Sequence, residues 1–474
     1  MNIYATVVLA AGKGTRMRSA LPKVLHPLAG APLLAHVLKA IEDFPLSFPS
    51  LDTRPFSHRP VVVLGHGAAQ IEAGFAERCL YALQDEQLGT GHALLAAQAV
   101  VEALHPVPQT VLVCYGDMPL IRSETLARVL GEHLTQQATI TFLTAYTQQP
   151  SDFGRVVRDA SGHVREIVEV RRATEEQKRI NEINSGVYCF DRQWLWPTLQ
   201  ALPRNSAGEY YLTDLIAIAS TQGRAIMTVQ GTIDETIGVN DRVQLAASEQ
   251  VLRRRILERH MYSGVTIVDP ATTYIDDDVR IGRDTVILPS TMISGKTTIG
   301  TNCRLGPGTV IEQSVLGDGC IVRTSMLEEA VLEDDVTVGP FSHCRPGAHL
   351  AHGVRMGNFA EVKNSYVGTQ TDMHHFSYLG DATVGEHVNI GAGTITCNYD
   401  GVRKNHTAIG AHAFIGSDTL LVAPVTVGER AHTGAGAVVR DDVAPGALVV
   451  GVPARFVRMF EPLEHASAEG NKKE

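Results

Sequence analysis

The chain has little that would tie it to nucleic acid, to a membrane or to an oxidising compartment. Its 41 lysines and arginines are outnumbered by 51 acids, for a formal net charge of −10. That balance argues against nucleic acid or an anionic membrane as the main partner. No apolar run approaches the ~20 residues of a membrane span. The opening nine residues, up to Leu9, are short and apolar, without the charged leader and small-residue cleavage site of a signal peptide. Seven cysteines, at 79, 114, 189, 303, 320, 344 and 397, are odd in number and contain no C-x-x-C pair. They do not make a disulfide framework. The expectation is a reduced, cytoplasmic protein with neither a nucleic-acid nor a membrane partner.

What is present is an ordinary globular composition, 44% hydrophobic and 19% charged over 474 residues. That length is too great for one core, so two or three domains are expected. Over residues 1–241, short apolar strands at 6–9, 61–64 and 110–113 alternate with helical stretches at 33–41 and 93–104. The alternation predicts an α/β doubly wound, Rossmann-like domain with a mainly parallel sheet. Ligands bind such sheets beyond the carboxyl ends of the strands, where Gly12 and Asp117 fall. Residues 44–59, with Pro45, Pro49 and Pro55, read as a surface loop without assigned function. Residues 242–262 read as a linking helix with Val243, Ala247, Val251, Leu252 and Ile256 on its apolar face and Gly264 as its stop.

From residue 263 the pattern changes. Ile281, Ile287, Ile293, Ile299, Leu305 and Ile311 recur every sixth residue, and the period returns at Ile409, Ile415, Leu421 and Val427. Neither a helix nor an alternating hairpin strand gives a strict six; a parallel β-helix with one inward aliphatic per short side does. The β-helix is expected over 263–461. The polar tail at 462–474 reads as disordered.

Two motifs carry chemistry. Near the start, Leu9-x-x-Gly12-x-Gly14-Thr15-x-Met17 follows a strand and precedes Pro22-Lys23. Backbone N–H groups in such a turn face a phosphate, and Lys13, Arg16 and Lys23 supply the charge that a departing pyrophosphate requires. The six-residue repeats resemble those of acyltransferases, and acyl transfer to an amine would require a base. Histidine, with an ordinary pKa of about 6.5, suits that task. Eleven histidines lie between His260 and the end, and spacing alone does not choose among them. His374 and His375, if on a strand, face opposite sides.

The first motif, together with Gln84-x-x-Gln87-Leu88-Gly89-Thr90-Gly91-His92, Tyr115-Gly116-Asp117, Gly154-Arg155, Glu169, Asn184-Ser185-Gly186 and Gly238-Val239-Asn240, resembles the sugar-1-phosphate nucleotidyltransferases. Over nearly the whole chain the resemblance is to the bacterial bifunctional N-acetylglucosamine-1-phosphate uridyltransferase/glucosamine-1-phosphate acetyltransferases. It implies a UTP and UDP-N-acetylglucosamine site built from Leu9, Ala10, Ala11, Gly12, Lys13, Lys23, Gln84, Gly89, Thr90, Tyr115, Gly116, Asp117, Gly154, Glu169, Asn184 and Asn240. Arg16 and Lys23 take catalytic roles in it, and Asp117 and Asn240 share a Mg²⁺. One local departure is Arg171-Arg172 after Glu169-Val170, where the family commonly has Lys-Asp.

For the second half, the resemblance implies His375 of H-x-x-Y-L-G-D as general base. Arg345, Lys363, Tyr378, Asn389 and Lys404 take glucosamine 1-phosphate, and Ala392, Asn398, Tyr399, Ser417, Ala435 and Arg455 take acetyl-CoA. Val452 stands where a basic residue for the cofactor's 3′-phosphate aligns, so Arg455 or Arg458 takes that contact. The loop 398–401 interrupts the six-residue count, and interruptions of a solenoid map to its binding side. The resemblance also implies a homotrimer with the acetyl site at a subunit boundary. The leading reading is therefore a bifunctional enzyme that makes N-acetylglucosamine 1-phosphate and converts it to UDP-N-acetylglucosamine, a precursor of cell-wall and envelope sugars. The alternatives are a monofunctional sugar-1-phosphate nucleotidyltransferase with a structural or regulatory β-helix, and a non-enzymatic scaffold.

Overall fold

The computed structural model describes residues 2–47, 53–55, 59–150, 153–205 and 208–459. The tail expected over 462–474 lies outside them. The chain forms two compact units, residues 1–252 and 253–474, which divide within the linking helix.

In the first unit a ten-stranded sheet is built around the strand Asn2–Leu9. That strand pairs in parallel with Val61–Leu64 on one side and with Thr110–Tyr115 on the other. The chain leaves the first strand in one direction and returns on its opposite flank. The crevice at the carboxyl ends of Asn2–Leu9 and Thr110–Tyr115 is therefore the switch point at which doubly wound sheets hold ligands. Beyond Thr110–Tyr115 the sheet turns antiparallel through Glu182–Asp191. Val7, Val8, Val62, Val63, Leu112 and Val113 are all fully buried, as strands covered on both faces require.

Three expectations are corrected. Residues 44–47 are the last turn of the helix Leu33–Ser47, not a loop. Phe44 is 1% exposed against Tyr4, ring centroids 5.5 Å apart, and this burial outweighs the disruptive prolines. Thr53–Pro55 then pair in parallel with the first strand, while 48–52 and 56–58 lie outside the described residues. The helix expected over 93–104 divides at Ala97 into Thr90–Ala96 and Gln98–Glu102. In the linking helix Arg242–Tyr262, Val243 is 79% exposed and Ala247 is exposed. Of the expected face, Leu252 packs with Leu245 on Met17, Leu28, Leu33 and Val239, and Ile256 is buried together with Ser248 and Leu257. Apolar spacing chose the face correctly at Leu252 and Ile256 and wrongly at Val243 and Ala247. Gly264 does end the helix, at φ +93°.

The second unit is a parallel β-helix. Its short strands fall into three sheets, in each of which a strand pairs with the one three strands later until the end of the solenoid, where Arg455–Met459 pairs antiparallel with Ala447–Val450. Ile287, Leu305, Val322, Val338, Met356, Met373, Ile390 and Ile415 stand in register up one sheet, none more than 3% exposed. Each such side chain withdrawn from water contributes roughly 1.5–3 kcal/mol. The corners are closed by buried threonines: Thr291, Thr297, Thr394 and Thr419 each donate Oγ1 to a carbonyl three residues earlier at 2.7 Å.

Candidate functional site

In the first unit two cavities of about 300 and 310 Å³ meet at Tyr115 and Asp117. Leu9, Ala10, Ala11, Gly12, Lys23, Gln84, Gly89 and Thr90 line the first. Arg16, Gly154, Glu169, Asn184 and Asn240 line the second. Lys13 and Gly116 line neither; Lys13 is exposed, and Gly116 donates its N–H to Leu9 O at 2.9 Å, tying the two strand ends together. Gly14, at φ +60°, lets Lys23 approach: a Cβ there would lie 2.7 Å from Lys23 Cβ.

Lys23 Nζ donates to Asp117 Oδ2 and, at 3.1 Å, to Asn240 Oδ1. The Asn240 amide nitrogen donates to Gly238 O at 3.2 Å, so its oxygen faces the ammonium. Two oxygen donors thus converge on one positive charge. This donor set fits a hard divalent cation, which prefers oxygen ligands and completes its shell with phosphates and water. Among the described residues, no cluster of three or more His, Cys, Asp or Glu forms a metal cage.

The second cavity has a buried acid. Burial raises the pKa of Glu169, against the hydrogen bond from Thr213 Oγ1 at 3.1 Å; Asp214 raises it and Arg172 lowers it. Asn184 accepts at Oδ1 from Tyr188 Oη at 2.9 Å, which turns its amide nitrogen away from that partner. Sequence reasoning missed Thr213, Tyr211 and Arg171, which line an adjoining recess with Arg16 and Glu169; the Arg171-Arg172 departure was the one available signal.

In the β-helix the expected residues fall in three places. Arg345, Lys363 and Lys404 converge, and the pKa of Lys363 is pushed down first by the Lys404 ammonium beside it and then by Arg345. Arg345 Nη1 also donates to Glu361 Oε1 at 2.7 Å. A lysine depressed by neighbouring cations is what an anion site would need, because a bound phosphate would relieve the repulsion. Tyr378 lies on the same sheet, in register with Glu361 and Ile395. Its hydroxyl packs over Gly380, which leaves no room for a Cβ.

Asp381, unassigned from sequence, sits at the next corner. It accepts from Asn364 Nδ2 at 2.6 Å and Asn398 Nδ2 at 2.5 Å. Burial raises its pKa, but these bonds with Lys404 and Lys363 outweigh that and hold it low. The interrupting loop folds back on Asp400, whose Oδ1 accepts from Val402 N at 2.8 Å and Arg403 N at 2.6 Å. Tyr399 bridges Lys404 across it.

The second place is another corner. His374 and His375 are not on a strand; they turn between Asp372–Met373 and Ser377–Gly380. His374 Nε2 lies 3.5 Å from Asp372 Oδ1. The registers Met373–Ile390, Ile390–Ile415 and Phe414–His432 put His375, Ala392, Ser417 and Ala435 one above another on successive coils. The backbone bonds Asp418 N to Ala392 O (2.6 Å) and Gly436 N to Ser417 O (2.8 Å) tie the column together. Arg455 lies exposed at the last strand, opposite Val450.

The third place holds Asn389 alone. It lines a recess with Arg355, Asp372 and His387, on the sheet adjoining that of Tyr378. One chain therefore does not gather Asn389 with the three cations.

Comparison with known proteins agrees with this division. The MobA-like NTP transferase domain family matches residues 6–214. The bacterial transferase hexapeptide (six repeats) matches 278–313, and the hexapeptide repeat of succinyl-transferase matches 406–440. The repeats identify the β-helix as the left-handed, hexapeptide kind. The bifunctional protein GlmU of Heliobacterium modesticaldum is 47% identical over 95% of this chain and 96% of its own. That of Geobacillus sp. is 46% identical over 98% of both, and that of Enterococcus faecalis 46% over 90% of both. With both units matched at this level and over nearly their full length, the chain belongs to the family of the bifunctional protein GlmU.

Proposed function

We propose that the chain is a bifunctional transferase of UDP-N-acetylglucosamine biosynthesis. It acetylates glucosamine 1-phosphate with acetyl-CoA in the β-helix domain, residues 263–461. It then transfers UMP from UTP to the N-acetylglucosamine 1-phosphate so made, releasing pyrophosphate, in the domain 1–241. The observation that carries this reading is that relatives named bifunctional match both units at once, at 47% identity over 95% of the chain.

In the uridyl half, the sugar phosphate oxygen attacks the α-phosphorus of UTP in line, and the bond to the β-phosphate breaks. Arg16 and Lys23 neutralise charge on the departing pyrophosphate. Gln84, Gly89 and Thr90 take the base and ribose, while Gly154, Glu169 and Asn184 hold the sugar. Asp117 and Asn240 would hold Mg²⁺, which when bound draws charge from the phosphates. Lys23, now bonded to both, is the group such an ion would free for the phosphates.

In the acetyl half, Arg345, Lys363 and Lys404 seat the sugar phosphate beside Tyr378. His375 takes a proton from the amine, whose nitrogen attacks the thioester carbonyl; the carbon–sulfur bond breaks and the thiol leaves. Ala392, Ser417 and Ala435 present a narrow corner along which acetyl-CoA lies, with Asn398, Tyr399 and Arg455 as further contacts. Asn389 completes the amine site from a neighbouring copy, which is the argument for a homotrimer. The product serves cell-wall and envelope sugar synthesis in the cytoplasm; among the described residues, no helix is long and apolar enough to cross a membrane.

The test is a coupled assay on the wild type and His375→Ala. Glucosamine 1-phosphate, acetyl-CoA, UTP and Mg²⁺ are supplied, with free thiol and pyrophosphate followed separately. Thiol release lost in the variant, with pyrophosphate restored by adding N-acetylglucosamine 1-phosphate, supports both halves. A wild type that releases pyrophosphate and no thiol leaves the β-helix as a scaffold and sinks the bifunctional reading.

A further inference from the structure

The inference concerns how the first cavity reads a base, and it rests on the uridyl-transfer reading above. Gln84 is 4% exposed and lines that cavity beside Gly89 and Thr90. Its carboxamide nitrogen donates to Gly89 O at 3.2 Å and meets His92 Nδ1 at 3.0 Å. A carbonyl oxygen only accepts, so Gly89 fixes which end of the carboxamide is nitrogen. His92 Nδ1 must then accept the second N–H, which leaves the ring proton on Nε2.

Both N–H groups of Gln84 are therefore committed to the protein. Its Oε1 has no hydrogen-bond partner among the described residues. The side chain offers the cavity an acceptor and no donor. His92 is itself held in place: its ring stacks on Tyr210 with centroids 6.2 Å apart. Tyr210 is in turn fastened to this loop by Gly91 N to Tyr210 O and Tyr210 N to Leu88 O, both 2.8 Å.

We propose that His92 is a positioning residue for base recognition, holding Gln84 so that its oxygen reads an N–H on the pyrimidine ring edge. Uracil offers N3–H at that edge. Cytosine carries a bare lone pair at N3, so two acceptors would face each other, which is disfavoured. Without the histidine's acceptor, one of the two bonds that hold the carboxamide is lost, Gly89 O alone orients it, and the preference for uracil weakens.

The experiment measures pyrophosphate release from UTP and from CTP, with N-acetylglucosamine 1-phosphate, for the wild type, His92→Phe and His92→Asn. Phe accepts nothing, whereas Asn Oδ1 stands where His Nδ1 stood. In His92→Phe, KM for UTP is expected to rise about tenfold and the preference for UTP over CTP to fall about tenfold, the scale of one lost buried hydrogen bond. KM for the sugar phosphate should stay within about twofold, and His92→Asn should restore both nucleotide values to within about threefold. In a Gln84→Ala background, His92→Phe should change nothing further, since its effect passes through Gln84.

The fluorescence of Trp194 and Trp196, which lie in the same unit as His92, reports whether each variant is folded. If His92→Phe does not fold, His92→Ala against His92→Asn makes the same comparison. Unchanged UTP preference in the folded variant, an equal rise in KM for both substrates, or no rescue by Asn would overturn the proposal. A wild type that releases no pyrophosphate from UTP overturns the uridyl-transfer reading instead.

Discussion

The Lys23 ammonium bridges Asp117 Oδ2 and Asn240 Oδ1, so one side chain just beyond the glycine turn joins two distant segments. Asp117→Asn removes the charge and keeps the shape. Pyrophosphate release is expected to fall by about 10²–10³-fold, in the range for losing one preorganised charge contact, and to need more Mg²⁺ for half its maximum. Thiol release should not change. A Mg²⁺ titration of both activities checks this, and an unaltered pyrophosphate rate would remove Asp117 from the site.

Lys363 is depressed by its neighbours Lys404 and Arg345. Lys404→Ala therefore raises the Lys363 pKa toward its ordinary value while weakening the anion site. KM for glucosamine 1-phosphate is expected to rise about tenfold, with a smaller dependence on salt than in the wild type. Initial rates of thiol release at two ionic strengths measure both effects.

Gly380 lies under the Tyr378 hydroxyl, with Asn398 Nδ2 at 2.8 Å from where a Cβ would be. Gly380→Ala should displace Tyr378 at an overpacking cost of about 1–3 kcal/mol. Acetyl transfer then drops while uridyl transfer persists. Full thiol release in this variant would mean that Tyr378 takes no part.

Burial pushes the imidazole of His133 down to about 4, against Asp191, which raises it. In the unfolded chain it protonates near 6.5, so between these values the unfolded state binds more protons. Stability is thus fully present above about pH 6.5 and falls as pH drops toward 4, by up to about 3 kcal/mol from this group. His133→Asn keeps an acceptor toward Thr141, 3.2 Å from His133 Nδ1, and should lose less between pH 7 and 4.5. The chain's two tryptophans, Trp194 and Trp196, both lie in the first unit. Their fluorescence in urea therefore follows that unit.

The β-helix was legible because Ile287, Ile293 and Ile299 obey a period that no other fold imposes. Gly12 and Asp117 were legible because both follow apolar strands. The paired contacts were not: Thr213 meets Glu169 across 44 residues, and Gln87 Nε2 donates to Ala11 O across 76, at 2.6 Å. Such pairs depend on how strands are ordered in the sheet, which local spacing does not encode. The column from His375 to Ala435 was hidden for a different reason. Its steps are 17, 25 and 18 residues, because the loop around Asp400 adds chain without adding a coil.

That loop shows that length along the sequence and length along the axis are independent here. Each coil advances the corner by about 4.8 Å whatever excursion it carries, so the corner from His375 to Ala435 is a ruler of three divisions, about 14 Å. Deleting a whole coil within it would bring Ala435 one division nearer His375, and inserting one would move it away. The reach of any ligand laid along that corner is thereby measured in coils, a quantity that changes in steps.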